Sequence, residues 1–313
     1  MIAISRYTPA DEALWNQFVE TSHNATFLHY RQFMDYHSHR FADCSLIARD
    51  EGKVVALLPA NEADGVLYSH QGLTYGGWLT QRKHFDATVM LRVMDAACEW
   101  MRNNGFSRLV YKPVPYIYHA YPADEDLYAL HRCGATLAEC SISSAIDLTN
   151  ALPFDRGNKS GVNSALRAGI EIGPSENFAD YWHLLEQVLQ ERHETNPVHT
   201  LDEILLLQSR FPENITLHTA TLHGELLAGV VLFKTPMVWH SQYIASSPRG
   251  RELKALALLF NRLIEESRAA GARYFDFGIS TEDHGRRLNE GLLQQKSRLG
   301  GRGVAYCTYQ LDL

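Results

Sequence analysis

Residues 217–233, LHTATLHGELLAGVVLF, predict a β-hairpin. Apolar residues run up to a turn at His223 and Gly224 and resume directly after Glu225, a pattern typical of two antiparallel strands joined by a tight turn. Residues 46–60, LIARDEGKVVALLPA, repeat the order of glycine, charged residue, two apolar residues and alanine after the turn. The chain therefore encodes the same hairpin twice.

Helices with the same placement flank both hairpins. An amphipathic helix containing a tryptophan precedes each hairpin. A second helix, over 89–102 in the first half and 253–268 in the second, follows each hairpin, stops at Gly105 or Gly271 and leads into a short strand. This repeated order predicts an α+β fold of tandem duplicated domains, each a mixed β-sheet flanked by helices.

The two domains are predicted to meet near residue 150. Turn-forming Asn, Pro, Gly and Ser residues are concentrated between residues 147 and 174. We therefore assign residues 1–150 to an N-terminal domain and residues 151–313 to a C-terminal domain. No Pro-rich or low-complexity linker separates them in the sequence, which predicts that they pack together.

The composition is that of an ordinary globular protein and argues against several functional classes. The 313 residues are 45% hydrophobic, and 29 Lys and Arg against 36 Asp and Glu give a net charge of −7. This charge argues against DNA as a partner. The apolar runs fall far below the ~18 residues of a membrane span, and no signal-peptide pattern opens the sequence. We expect a cytoplasmic protein without a membrane span.

Metal sites and disulfide frameworks are not indicated by the sequence either. The five Cys include no CxxC pair, and the 15 His show none of the spacings typical of metal ligands. We therefore expect no metal site. A metal-dependent hydrolase is the weakest of the functions that the sequence suggests.

Three stretches carry a resemblance to a known family: the segment from Asn163 to Glu171, YFDFG at 274–278, and KSRLGG at 296–301. The first and last resemble the N-R-A-x-G-V and K-x-x-F/W-G signatures of the FemAB and FemX aminoacyl transferases, and the doubled unit resembles the tandem GNAT acyltransferases. The resemblance covers most of residues 158–302. It implies transfer of an acyl or aminoacyl group to an amine, with no permanently bound cofactor.

The resemblance also predicts where an acyl donor binds. In ordinary GNAT enzymes, backbone N–H groups of a glycine-rich loop at a helix N-terminus hold the pyrophosphate of CoA. Arg249, Gly250 and Arg251 match the start of that loop, whereas Glu252 and Lys254 replace its two glycines. The replacement predicts poorer approach of the backbone to a phosphate, and Glu252 is expected to repel it.

Four cations are candidates for binding substrate. The C-terminal signature implies that Lys296, with Arg298 nearby, clamps a phosphate or pyrophosphate, although a solvated helix face explains such a cluster equally well. Lys159 and Arg167 lie in a basic stretch where the resemblance places the domain junction. They are therefore further substrate-binding candidates.

Asp276 is a catalytic candidate because it is an acid within an otherwise apolar strand. A buried carboxylate needs a partner, so an ion pair with Lys296 or a nearby Arg is as well supported as a catalytic role. Glu282 is a second catalytic candidate, since it follows in the loop at the end of this strand, where α/β sheets commonly bind ligands.

Aromatic and histidine side chains complete the candidate set. The resemblance places the acyl group beside the strand HSQYIASS, where Tyr243 is a catalytic candidate and Gln242 and His240 are substrate-binding candidates. Core packing is the commoner role of such a tyrosine. The remaining candidates are a catalytic histidine after a predicted helix and two substrate-binding residues beside a glycine-rich loop: His193, His70 and Tyr75.

The leading hypothesis is a cytoplasmic N-acyltransferase of the FemAB-like, tandem GNAT type. The amine belongs to a small, anionic acceptor such as an amino sugar or a peptidoglycan-precursor peptide. Acyl-CoA is favoured as co-substrate over aminoacyl-tRNA, because a net charge of −7 provides little attraction for RNA. The alternative is a non-catalytic double-GNAT module that binds a ligand.

Overall fold

The computed structural model describes residues 1–193 and 196–313, the side chains of residues 192 and 193 excepted. The chain divides into two compact units. Unit 1 comprises Met1–Ser141, Asp283–Arg287 and Ala305–Leu313, and unit 2 comprises Ile142–Glu282 and Leu288–Val304. The predicted domains 1–150 and 151–313 stay a proposal; two segments of the predicted C-terminal domain, Asp283–Arg287 and Ala305–Leu313, belong to unit 1.

The helices and strands of the chain follow one another in two series. The first series is β1 (Ile2–Arg6), α1 (Glu12–Thr21), α2 (Arg31–Met34), β2 (Ala42–Asp43), β3 (Leu46–Asp50), β4 (Lys53–Leu58), β5 (Asn61–Ala63), β6 (Val66–Tyr68), β7 (Leu79–Thr80), α3 (Ala87–Asn103), β8 (Arg108–Tyr111), α4 (Glu125–Arg132) and β9 (Thr136–Asp147). The second series is α5 (Arg156–Arg167), β10 (Glu171–Ser175), α6 (Phe178–His193), α7 (Leu201–Arg210), β11 (Ile215–Leu222), β12 (Glu225–Lys234), β13 (Val238–Ser246), α8 (Pro248–Glu252), α9 (Ala255–Ala269), β14 (Tyr274–Ile279), β15 (Thr281–Glu282), β16 (Arg287–Leu288), α10 (Glu290–Arg298) and β17 (Arg302–Asp312).

Local sequence explains the start of α1 and the turn between β3 and β4 in unit 1. Thr8 and Asp11 form a capping box ahead of α1, in which the Thr8 N–H donates to the Asp11 carboxylate at 3.0 Å. Between β3 and β4, Glu51 and Gly52 have φ values of 48° and 83°, the left-handed conformation of a tight hairpin turn. The first predicted hairpin is therefore confirmed.

The strands of unit 1 are covered by α3. One sheet has the order β1-β3-β4-β7, and a second run has the order β8-β6-β5-β2, with the end of β17 antiparallel to β8. Met90, Val93, Met94 and Ala97 occur at helical spacing along α3 and are buried in the core of the unit. This 3.6-residue period is the one that the sequence displays.

Unit 2 has strands in the order β10-β11-β12-β13-β14-β9. All neighbours are antiparallel except β13 and β14, which are parallel. The turn between β11 and β12 places His223 and Gly224 at φ values of 51° and 82°, so the second predicted hairpin is also confirmed. Helix α9 buries Leu258, Leu259 and Leu263 in the core of this unit.

The helix predicted over 253–268 begins with a break. Residues 248–252 form the short helix α8, and Lys254 then adopts a φ of 60° before α9 starts at Ala255. This change of direction brings both α8 and the first turn of α9 beside β13. Within the described ranges, no helix combines the length and apolar character needed to cross a membrane.

Candidate active site

In unit 2 the parallel strands β13 and β14 pair over a short distance and then separate. The pairing runs from Val238 with Tyr274 to His240 with Asp276. A cavity of about 380 Å³ is lined by the later residues of both strands together with residues from α8, α9 and α10. Its apolar wall includes Ile244, Leu256, Phe260, Phe277, Leu292 and Leu299.

Part of the cavity wall is positively charged. Arg251, Lys254 and Lys296 line it, and no carboxylate is among the described lining residues. The Arg251 guanidinium is held in place because its Nη1 donates to the carbonyl oxygen of Ser246 at 2.8 Å. An apolar wall with cations at its edge favours a ligand that has an apolar arm and an anionic group.

Gly250 allows α8 to lie close to β12. A Cβ at this position would stand 2.1 Å from the carbonyl oxygen of Leu227, so only glycine fits without displacement of the backbone. The close approach at Gly250 is therefore to protein, and it does not replace the two glycines that the sequence lacks at positions 252 and 254. Glu252 is exposed and is not among the described lining residues, and its expected repulsion of a phosphate stays a prediction.

Lys296 is buried in the cavity wall, with 5% of its surface exposed. Its Nζ donates to the carbonyl oxygens of Gly278 and Ile279 at 2.8 and 2.6 Å. Burial lowers the pKa of Lys296 to about 8, and the negative charge of Asp276 opposes this shift. Lys296 therefore does not lie on a solvated helix face, which was the alternative that the sequence left open.

Asp276 is fully buried where β13 and β14 separate. Ser143 Oγ and the Gly278 N–H donate to its Oδ1 at 2.6 and 3.2 Å, and His240 Nδ1 lies 2.8 Å from its Oδ2. Burial raises the pKa of this carboxyl, but His240, Ser143 and the Gly278 N–H together hold it below its ordinary value. The result is an ionised carboxylate that orients the His240 ring.

Tyr243 lies on β13 but contacts a different group of residues. Its hydroxyl is 2.5 Å from Nδ1 of His199, and its ring packs edge-on against Trp182 with centroids 5.1 Å apart. It is 8% exposed and is not among the described lining residues of the cavity. The packing role agrees with this geometry, and the catalytic role of Tyr243 stays a prediction.

The chain is similar to a known protein family in sequence and to solved structures in fold. Residues 161–286 match the family model described as Acetyltransferase (GNAT) domain. No curated protein matches the sequence. Among solved structures, the chain is similar to FemX, with 13% identity and a TM-score of 0.71 over 99% of this chain and 97% of that one. The chain has a FemX-like tandem GNAT fold.

Two further structures share the tandem GNAT fold. One is the C-terminal domain of a putative lysylphosphatidylglycerol synthetase from Agrobacterium fabrum, with 14% identity and a TM-score of 0.61 over 97% of this chain and 92% of that one. The other is a tandem GNAT protein from the clavulanic acid biosynthesis pathway, with 12% identity and a TM-score of 0.53 over 100% of this chain and 98% of that one. The predicted fold class is thus confirmed.

Within the tandem GNAT fold, several predicted site residues of unit 2 come together. His240 and Asp276 meet where β13 and β14 separate. Gly250, Arg251 and Lys296 line the cavity, and Lys296 Nζ donates to the carbonyl oxygens of Gly278 and Ile279, the last two residues of β14. His240 and Asp276 are not among its described lining residues. The individual roles of all five residues stay predictions.

Other predicted residues of unit 2 lie away from the cavity. Arg249 forms an ion pair with Glu225, and Glu282 accepts a hydrogen bond from Asn289 at 2.9 Å. The rest have separate surroundings: Lys159 lines a different cavity, Arg298 lies 3.8 Å from Asp155, Arg167 is exposed, and Gln242 is half-buried on β13. The structure does not bring these residues to the charged cavity.

Three predicted residues have no described place at this site. His193 ends α6, but its side chain lies outside the described part of the structure. His70 and Tyr75 belong to unit 1 and are buried there; His70 stacks on His37 with centroids 5.3 Å apart, and Tyr75 packs against Tyr118 at 4.5 Å. The predicted catalytic role of His193 and the predicted substrate-binding roles of His70 and Tyr75 stay predictions.

Sequence reasoning missed two residues that complete the contacts of β13 and β14. Ser143 donates a hydrogen bond to Asp276, and the His199 ring is hydrogen-bonded to the Tyr243 hydroxyl. Neither has a motif or spacing that signals its role, because each meets its partner only after distant strands and loops come together. Among the described residues, no group of three or more His, Cys, Asp or Glu is placed to hold a metal ion.

Proposed function

We propose that this protein is an N-acyltransferase that uses acyl-CoA and acylates an amine. The observation that carries the proposal is the cavity beside β13 and β14, with an apolar wall and Arg251, Lys254 and Lys296 at its edge. The GNAT domain match over residues 161–286 and the tandem GNAT fold support acyl or aminoacyl transfer in general.

The shape and charge of the cavity suit the two parts of an acyl-CoA. The apolar wall suits the pantetheine arm and acyl chain, which gain free energy by leaving water. The cations suit the diphosphate, because charge-assisted hydrogen bonds to phosphate are stronger than neutral ones. The first turn of α9 lies at the same edge through Leu256 and Ala257, and the positive end of a helix dipole favours an anion.

Acyl-CoA is a better match to these features than aminoacyl-tRNA. A tRNA needs a broad electropositive surface whose binding weakens steeply with salt, whereas the chain has a net charge of −7 and three cations confined to one cavity. As acceptor we propose a small anionic amine, such as an amino sugar or a peptidoglycan-precursor peptide. A cytoplasmic location remains part of the same proposal.

The test is calorimetric titration of the purified protein with acetyl-CoA, longer acyl-CoAs and CoA at moderate salt. We expect saturable binding that Lys254→Ala weakens about tenfold through loss of a charge-assisted contact. Lys53→Ala is the matched control, since Lys53 is exposed in the hairpin of unit 1 and its loss should leave affinity unchanged.

Acceptors are then screened as amino sugars and short lysine-containing peptides, with release of the CoA thiol as readout. Donor binding with acceptor-dependent thiol release supports the proposed function. Absence of binding by every acyl-CoA would remove acyl-CoA as donor and leave aminoacyl-tRNA to be tested. Binding without turnover on any amine would instead support the ligand-binding module.

A further inference from the structure

We propose that His240 is the base that removes the proton from the attacking amine and that Asp276 holds it in the required tautomer. This inference rests on the proposed function, because it assigns a role within acyl transfer. It adds to that function a catalytic pair that lies where the parallel strands β13 and β14 separate.

The carboxylate of Asp276 is placed to act on His240 rather than on solvent. It is 0% exposed, and its Oδ1 is occupied by donors from Ser143 Oγ at 2.6 Å and the Gly278 N–H at 3.2 Å. Its Oδ2 faces His240 Nδ1 at 2.8 Å. A buried, ionised acceptor at this distance requires Nδ1 to carry a proton.

The consequence for His240 is a lone pair on Nε2. Within the described part of the chain, Nε2 makes no hydrogen bond, and the side chain is 15% exposed. Gly278 lies beside the ring, where an added Cβ would be in van der Waals contact with His240 Cε1 at 3.4 Å. Nε2 is not among the buried unpaired atoms of the described residues, so it is accessible to a small ligand.

Two charged groups lie on the elements around this imidazole. Asp276 on β14 has its Oδ2 2.8 Å from Nδ1, and Lys296 on α10 donates through Nζ to the carbonyl oxygens of Gly278 and Ile279. A base must be stabilised once it has taken a proton, and the Asp276 carboxylate is placed to stabilise the imidazolium.

The chemistry balances without an additional reactant. The amine nitrogen attacks the thioester carbonyl carbon, a C–N bond forms, and Nε2 of His240 takes the proton that the nitrogen loses. The C–S bond then breaks, the electron pair leaves with sulfur, and the imidazolium returns the proton to the departing thiolate. The amide and free CoA thiol are released, and His240 is again neutral.

The first test measures the tautomer directly, with no substrate. Histidine side-chain ¹H–¹⁵N correlation spectra at neutral pH should show one ring, absent from His240→Asn, that is protonated on Nδ1 and bare on Nε2. Detection of His240 protonated on Nε2, or on both nitrogens, would overturn the inference. This result does not depend on whether the protein binds acyl-CoA.

The second test is kinetic and uses acetyl-CoA with glucosamine or hydroxylamine as probe acceptors. His240→Asn keeps a donor for Asp276, so the fold and the acetyl-CoA affinity should be retained while transfer to glucosamine falls about 10²-fold or more. Transfer to hydroxylamine should fall as well, because its nitrogen also loses a proton when the C–N bond forms. His223→Asn, in the exposed turn at φ 51°, is the matched control and should change neither rate.

No loss of rate with either acceptor, or a loss of rate that is accompanied by an equal loss of acetyl-CoA affinity, would refute His240 as the base. If the wild-type protein binds no acyl-CoA, the proposed function fails, and the spectra still decide the tautomer that the inference requires. If acetyl-CoA binds and His240→Asn turns over like the wild type, the proposed function stands and the inference alone fails.

Discussion

Asp126→Asn should make unit 1 more stable, by a margin that is large above neutral pH and small in mild acid. Asp126 lies in the first turn of α4, is 4% exposed, and accepts hydrogen bonds from the Tyr111 hydroxyl at 2.6 Å and the Leu127 N–H at 2.8 Å. Burial raises the pKa of Asp126 to about 7, despite these two donors.

The magnitude follows from the difference between folded and unfolded states. The pKa of Asp126 rises from 3.8 to about 7 on folding, which corresponds to about 4 kcal/mol. A carboxyl whose pKa is raised contributes its full stability below the unfolded value and loses it as pH rises through the folded one. Between pH 5 and pH 8 the wild type should therefore lose about 2–3 kcal/mol relative to an uncharged side chain.

Asparagine keeps an acceptor for Tyr111 but turns an N–H donor towards Leu127, a mismatch that costs about 1 kcal/mol. At pH 8 the wild type has lost nearly all of those ~4 kcal/mol, so the variant should be about 3 kcal/mol more stable than the wild type, and at pH 5 less than about 1 kcal/mol more stable. Urea unfolding followed by tryptophan fluorescence at both pH values measures the difference. The exposed Asp124→Asn is the control, and a difference for Asp126→Asn that stays constant with pH would refute the reasoning.

Three further outcomes are expected. Gly250→Ala should weaken acetyl-CoA binding at least tenfold, because its Cβ would lie 2.1 Å from a carbonyl oxygen, whereas Gly173→Ala, with no atom within 4 Å, should not; equal affinities in calorimetry would contradict this. Burial lowers the pKa of His29 to about 4. The neutral ring therefore contributes on the order of 3 kcal/mol to the free energy of unfolding above pH 6.5, and this contribution is lost as the pH falls towards 4. Denaturant unfolding of His29→Phe should show a shallower loss of stability over that range. Cys140 and Cys307, with Sγ atoms 3.9 Å apart, should form a disulfide under mild oxidation, and mass spectrometry finding both thiols free after diamide treatment would exclude it.

The sequence by itself determined the local elements of this protein. Both hairpins, the capping of α1 and the stops of α3 and α9 depend on turn residues, caps and periodicity within a few positions. The tandem α+β fold was predicted because those elements recur in the same order. Signature residues likewise pointed to Lys296 and Asp276, although not to the groups that surround them.

The tertiary structure alone decided how the candidate site is assembled. Asp276 could have paired with Lys296, yet its hydrogen bonds come from His240 and from Ser143, which lies 133 residues earlier. Gly250 proved necessary because of a carbonyl on β12 rather than a phosphate. Such contacts depend on which distant strands become neighbours and where β13 and β14 separate, and this order is set by packing of the whole sheet. No local sequence pattern predicts these contacts, because the backbone hydrogen bonds of each strand do not depend on which distant side chain it will meet.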